Sequence, residues 1–175
     1  LASTSEVYNI PPHIPTKEDV RLVIPDIFNP RYSYSGSKII SELYLINAAC
    51  KHFEKSIIFR PHNVYGPDMG HEHVIPEIIK KIYNLNKNKE ESIEIQGTGI
   101  ETRAFIYIDD FIDALELVFN NGKDQNIYNI GNEDETKIID LINILINISS
   151  NEIKIHKSDL MKGSTNRRCP NIDKI

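Results

Sequence analysis

Ser56-Ile57-Ile58-Phe59, running into Arg60-Pro61-His62-Asn63-Val64-Tyr65-Gly66-Pro67, is the stretch whose reading decides the fold. A short run that is continuously apolar suits a strand buried on both faces, as in a parallel sheet. Arg60-Pro61 is expected to end it, and the segment from Asn63 to Pro67 carries turn chemistry. On the N-terminal side, 31–52 has a helical period, with Ile39, Ile40, Leu43, Ile46, Ala49 and Cys50 recurring at intervals of three or four. Before it, 11–30 is Pro-rich and turn-like, and Leu1-Ala2-Ser3-Thr4-Ser5-Glu6-Val7-Tyr8 reads as the end of a strand. On the C-terminal side comes a helix carrying Ile75, Ile78, Ile79, Ile82 and Tyr83, then an alternating strand at Ser92-Ile93-Glu94-Ile95. Gly97-Thr98-Gly99 is a turn, Phe105-Ile106-Tyr107-Ile108 a strand, and Asp109-Asp110 open a helix through Phe119. A strand over 127–130 and a helix over 136–148 follow. Alternating strands and helices predict an α/β fold with a mostly parallel sheet.

The chain has 175 residues, 40% hydrophobic and 26% charged, enough for one globular domain or two small lobes with a core. A net charge of −5 argues against a nucleic-acid partner, since phosphate neutralisation needs basic surface. No apolar run approaches the roughly 18 residues of a membrane span, and no secretory leader is visible. Cys50 and Cys169 lack metal or redox spacing, which predicts reduced thiols and a cytoplasmic protein. His62, His71, Glu72 and His73 have no firm ligand spacing, so no metal is expected.

Tyr34-Ser35-Gly36-Ser37-Lys38 is a YxxxK on the predicted helix. Four residues is about one turn, so phenol and ammonium share a face. An ammonium beside a phenol favours the phenolate, which can take a proton from an alcohol as hydride leaves its carbon. In an extended strand Thr4 and Glu6 would point to one face, lining a crevice at the strand's C-terminal end, where open α/β sheets hold ligands.

Together these resemble the extended short-chain dehydrogenase/reductase superfamily, and more closely the NAD-dependent epimerase/dehydratase family acting on nucleotide sugars. Arg60-Pro61-His62-Asn63-Val64-Tyr65-Gly66-Pro67 is similar to its RPxNVYGP element. Gly97-Thr98-Gly99, with the run from Thr102 to Asp110, is similar to GxGxxxRxFxYVDD. Tyr128-Asn129-Ile130-Gly131 is similar to YNxG, and Arg167-Arg168-Cys169-Pro170-Asn171-Ile172 to RxPDI. Asn9 stands where the family usually has Gly, and Asn is the next best residue for positive φ. The family's Gly-rich dinucleotide loop does not occur in the sequence, so the chain reads as an internal or C-terminal part of a longer protein.

The resemblance implies a Rossmann-like parallel sheet, its C-terminal half only, with a smaller α/β substrate-binding lobe. Segments 1–66 and 104–131 would belong to the NAD(P)-binding domain, and 67–103 and 132–175 to the lobe. It implies transient oxidation at C4 of the sugar by NAD, with NADP as the alternative. Tyr34 would be the base, Lys38 its partner and the nicotinamide-ribose contact, Thr4 the hydroxyl that orients the C4 oxygen, and Pro61 a further cofactor contact. Thr4-Ser5-Glu6 leans toward 4,6-dehydratase or decarboxylase chemistry, with Glu6 a base near C5. Asn63, Arg103 and Arg168 would hold the nucleoside-diphosphate sugar, guanidinium forks suiting its phosphates. The alternatives are a nucleotide-sugar 4-epimerase, a 4-keto reductase, or a truncated non-catalytic interaction module. The breadth of apolar surface on the 31–52 helix, and the family's two-fold helix pairing, imply a homodimer of the full-length protein, engaged in polysaccharide biosynthesis. This chain alone is expected to be inactive.

Overall fold

The first eight residues do not continue as a strand. A computed structural model, which describes residues 1–88, 91–149, 153–160 and 162–175, pairs only Ala2 with Phe59, in parallel. It then winds Ser5–Tyr8 into a 3-10 turn. Thr4 is the cause: its hydroxyl oxygen accepts from Glu6 N–H at 3.2 Å, a side-chain cap that competes with extension. Asn9 closes the turn at φ 42°, a positive value that asparagine tolerates. Thr4 and Glu6 therefore do not share the face of a strand; they are the cap and the first turn of a 3-10 segment.

The helix expected over 31–52 is helical throughout but changes pitch. Pro30–Tyr32 is a 3-10 turn capped by Asn29, whose side chain accepts from Arg31 N–H. It leads into α1, Ser33–Tyr44, which widens to a π-turn at Leu45–Ala49 and tightens again at Cys50–His52. Strand β1, Ile57–Pro61, runs through the Arg-Pro pair that was expected to end it, and the turn region contains a short β2, Val64–Tyr65. Then come α2, Val74–Asn88, and β3, Ser92–Gln96. Short strands β4, Thr102–Ala104, and β5, Ile106–Tyr107, precede α3, Ile108–Asn121. Ile108 thus begins a helix instead of ending a strand. The remainder is β6, Asn126–Ile130, β7, Glu135–Lys137, α4, Ile138–Ser149, β8, Lys154–Ser158, and β9, Arg167–Arg168.

The chain divides into two units. Unit 1 comprises Leu1–Val64, Ala104–Glu135 and Arg168–Ile175. Its β1 pairs in parallel with β6, Ile57 opposite Asn126 through Pro61 opposite Ile130. Ile58 and Ile130 are buried there, and Ile106, Phe111, Val118 and Tyr128 close a core around Ile130. Burying one such aliphatic side chain stabilises by about 1.5–3 kcal/mol. Helix α1 is different. Its buried residues are Ser35, Gly36 and Glu42, while Ile40, Leu43 and Tyr44 stay largely exposed. Its inward face is small or polar, while Tyr34 and Lys38, which carry the candidate chemistry, stay exposed and half-buried.

Unit 2 comprises Tyr65–Arg103 and Thr136–Arg167. There β3 pairs in parallel with β8, and Ile78, Ile82, Ile93, Ile95, Ile142 and Ile146 form a core with α2 and α4. The turn after β3 needs positive φ at Gly97 and Gly99. Glu101 fixes it, accepting from the N–H groups of Thr98 and Gly99 at 3.0 and 2.8 Å. Burial tends to raise this carboxyl, but those hydrogen bonds hold it below its ordinary value.

Candidate active site

Tyr34 and Lys38 stand one turn apart on α1, with the ammonium 5.8 Å from the Tyr34 ring centroid. The Tyr34 side chain is open to solvent, the residue being 50% exposed. Lys38 Nζ donates to the carbonyl of Ala2 at 2.9 Å, which ties this helix to the segment leading into Thr4. Ser35 Oγ adds a second tie, to Asn9 Oδ1 at 3.3 Å, beyond the 3-10 turn. Thr4 and Ser5 are buried, and Glu6 is half-buried. Glu6 Oε1 accepts from Arg168 Nη1 at 3.5 Å. Burial lowers the Arg168 guanidinium from its ordinary value, and the Glu6 carboxylate opposes that shift.

Pro61 ends β1 opposite Ile130. Asn63 follows at φ 40°, its side-chain amide donating to Ala104 O at 2.9 Å. Arg103 lies in unit 2. Its guanidinium donates to the carbonyls of Thr102 and Thr165, both at 2.7 Å. Unit 1 therefore gathers Thr4, Ser5, Glu6, Tyr34, Lys38, Pro61, Asn63 and Arg168, and Arg103 belongs to the other unit. Among the described residues no group of histidine, cysteine and carboxylate side chains is assembled as for a metal ion. Both cysteines are free thiols, and no helix among the described residues is long and apolar enough to cross a membrane.

Beneath these residues lies a buried polar network that periodicity did not reveal. Arg60 projects from β1 and is 1% exposed. Its Nε and Nη2 donate to the two oxygens of Glu42 at 2.9 and 2.6 Å. Its Nη1 donates to Tyr8 Oη at 2.8 Å and to Glu18 O at 3.0 Å. Tyr8 Oη donates onward to Asn129 Oδ1 at 2.6 Å. Burial pushes the Tyr8 hydroxyl up to about 12, against the pull of Arg60, so it remains a donor. The signal that could have found the network was an arginine inside an apolar strand. Such a charge needs a buried carboxylate, and Glu42, one turn beyond Lys38, is that carboxylate.

His62 is fully buried, with Nε2 3.2 Å from Asn129 Oδ1. Gly131 ends β6 beside it for lack of room: a Cβ there would sit 2.8 Å from His62 Cβ. Burial drives the imidazole pKa from 6.5 down to about 3, with the Arg168 and Arg60 charges adding to the effect. The unfolded chain binds this proton more readily, so the contribution is complete above pH 6.5 and is lost as pH falls toward 3. Unfolding free energy should drop by about 1.4 kcal/mol per pH unit across that window. Urea titrations of the full-length protein at stepped pH check this. An equal acid slope in His62→Gln would contradict it.

The profile of the NAD dependent epimerase/dehydratase family matches residues 1–131. The chain belongs to this family. A dTDP-D-glucose 4,6-dehydratase of Dictyostelium discoideum is 37% identical over 124 residues, 70% of this chain and 27% of the relative. A solved NAD dependent NDP-hexosamine 5,6-dehydratase, TunA, aligns over 97% of this chain and 52% of its own, with TM-score 0.76 and 26% identity. UDP-N-acetylglucosamine 4-epimerase from Methanobrevibacter ruminantium M1, solved with UDP-N-acetylmuramic acid, aligns over 99% of this chain and 53% of its own, with TM-score 0.83 and 25% identity. The chain thus spans about half the length of these solved relatives and less of the curated one. The α/β architecture with parallel strand pairs is that of these Rossmann-type epimerases and dehydratases. All the candidate family residues but Arg168 lie within the matched range.

Proposed function

We propose that the full-length protein modifies a nucleoside-diphosphate sugar by transient oxidation at C4, and that its chemistry is that of a 4,6-dehydratase. The observation that carries this is the bond from Lys38 to Ala2, which sets the YxxxK helix against Thr4-Ser5-Glu6. The 4,6-dehydratase named among the relatives supports the same reading. The 4-epimerase neighbour supports the second reading, epimerisation on the same scaffold.

The exposed phenol and the ammonium beside it fit the nicotinamide-ribose end of NAD. Tyr34 and Lys38 would hold the nicotinamide-ribose end, and bound NAD would supply the acceptor for the C4 hydride. Tyr34, acting as the phenolate, takes the hydroxyl proton and becomes the phenol, with the Lys38 ammonium beside it. Thr4 Oγ1 already accepts from Glu6 N–H, which leaves its own proton to donate to the C4 oxygen. The C4 ketone acidifies the C5 proton; this reading assigns its removal to Glu6 as the C6 hydroxyl leaves as water, with the hydride returned at C6. A decarboxylase would use the same ketone to accept electrons from a departing carboxylate.

In this reading unit 1 forms part of the cofactor-binding domain and unit 2, Tyr65–Arg103 and Thr136–Arg167, the substrate lobe; the residues from Arg168 onward go with the first, not with a lobe running over 132–175. Without a Gly-rich phosphate turn, the isolated chain is expected to be inactive. Free cysteines suit a cytoplasmic enzyme, and the sugar products suit polysaccharide biosynthesis. The exposed Ile40, Leu43 and Tyr44 on α1 support a homodimer. Light scattering on active full-length protein tests it, and a monomer would rule it out.

The deciding experiment incubates full-length protein with UDP-, GDP-, dTDP- and CDP-sugars and weighs the products. Loss of one water means dehydration, loss of carbon dioxide decarboxylation, and unchanged mass with altered stereochemistry epimerisation. No turnover of any of them would overturn the proposal. Arg103→Ala and Arg168→Ala are each expected to weaken nucleoside-diphosphate binding about 10- to 150-fold, by loss of a charge-assisted contact of about 1.5–3 kcal/mol. Calorimetry with the nucleoside diphosphate checks this, and wild-type affinity in both variants would refute the phosphate roles.

A further inference from the structure

We propose that Glu42 is a positioning residue of this site, holding Ser3-Thr4 in register with Tyr34 and Lys38. The inference rests on the proposed function and deepens it. Glu42 follows Lys38 by four residues, so it lies one turn further along the same face of α1. It is 3% exposed. Its Oε1 accepts from Ser3 Oγ and from Arg60 Nε, and its Oε2 accepts from Arg60 Nη2. One carboxylate thus joins three segments: the approach to Thr4, the helix that bears Tyr34 and Lys38, and β1, which leads into Pro61.

Two further hydrogen bonds tie α1 to residues 2–9, each a single contact: Lys38 Nζ, on a long half-buried side chain, to Ala2 O, and Ser35 Oγ to Asn9 Oδ1 at 3.3 Å. The Arg60 fork on Glu42 has two parallel bonds of fixed geometry. Ser3 is held from its other side too, its N–H donating to Phe59 O at 2.9 Å. Stability alone does not call for this arrangement, because well-packed apolar residues often match or exceed a buried ion pair. An apolar replacement would still lack the directional bonds that set where Ser3 sits along the helix. Displacing reacting groups by about 1 Å can cost about 100-fold in rate.

The test compares Ser3→Ala and Glu42→Asp with wild type in the full-length protein loaded with NAD. Ser3→Ala deletes only the hydroxyl tie, and Glu42→Asp keeps the charge for Arg60 but shortens the reach. Both should fold, with kcat per folded molecule down about tenfold or more and KM for the nucleotide sugar within about twofold. The kinetic isotope effect with substrate deuterated at the oxidised carbon should rise, because hydride transfer becomes slower relative to other steps. A fraction of unfolded enzyme cannot produce that rise. In a crystal structure of Ser3→Ala, residues 2–6 should shift against α1 and the Lys38 to Ala2 bond should lengthen or break. The paired change Glu42→Gln with Arg60→Met leaves no buried charge to disrupt folding, and its kcat should stay low. Wild-type kcat in that double variant, an unchanged isotope effect in the single variants, or unmoved residues 2–6 would each overturn the role. If wild type turns over no nucleotide sugar, the proposed function fails, and the crystallographic comparison alone decides Glu42.

Discussion

Tyr34→Phe in the full-length protein should abolish turnover while nucleotide-sugar affinity stays within a few-fold of wild type. The change deletes one oxygen from a side chain that is half open to solvent, so neither the fold nor α1 is threatened. What is lost is the group that takes the C4 hydroxyl proton, and general acid–base catalysis is worth about 100- to 10,000-fold. Lys38 keeps its bond to Ala2, so the helix remains docked against residues 2–6. Rates under saturating substrate, with binding followed separately by calorimetry, separate the two effects. Near-wild-type turnover in the variant would refute the assignment of Tyr34.

Arg60→Ala should be the most destabilising single change in unit 1. It strands the Glu42 carboxylate, buried at 3% exposure, and removes the donor to Tyr8 Oη and Glu18 O. Breaking one side of a buried pair costs about 3–5 kcal/mol, more than most point changes. A urea midpoint measured on the full-length protein should fall accordingly. The paired change to Arg60→Met and Glu42→Gln should recover much of the loss, since no charge is then left alone in the interior. Equal midpoints for Arg60→Ala and wild type would mean that solvent reaches Glu42.

Where the chain's pattern is local, the sequence was a good guide. The period of 31–52, the apolar run at Ser56-Ile57-Ile58-Phe59 and the Asp109-Asp110 start each reappear within a few residues of the expected place. The Tyr34 and Lys38 pair was legible because a helix turn converts spacing directly into a shared face. Thr4 and Glu6 were misplaced because a side-chain cap, not a hydrophobic period, governs Ser5–Tyr8. Strand β8, Lys-Ile-His-Lys-Ser, has too polar a composition to announce itself, and it exists through its pairing with β3. The Arg60 and Glu42 pair had a signal in an arginine beside an apolar run, but the Tyr8 and Asn129 end of the network had none. Tyr8 and Asn129 are 121 positions apart in the chain, and no local pattern links a phenol with an amide at that distance.

Asn129 dictates the chemistry of its neighbour's ring. Its amide nitrogen donates to Thr16 O at 2.9 Å and to Asn171 O at 3.1 Å, so the amide has one orientation and its oxygen faces Tyr8 and His62. That oxygen can only accept, so the imidazole must carry its hydrogen on Nε2. Nδ1 is then a bare lone pair, with no hydrogen-bond partner among the described residues. His62 is thereby locked as a single neutral tautomer. Its ring proton, sealed behind Tyr8 and Asn129, should exchange with solvent slowly enough to give a persistent nitrogen-bound resonance in a neutral solution.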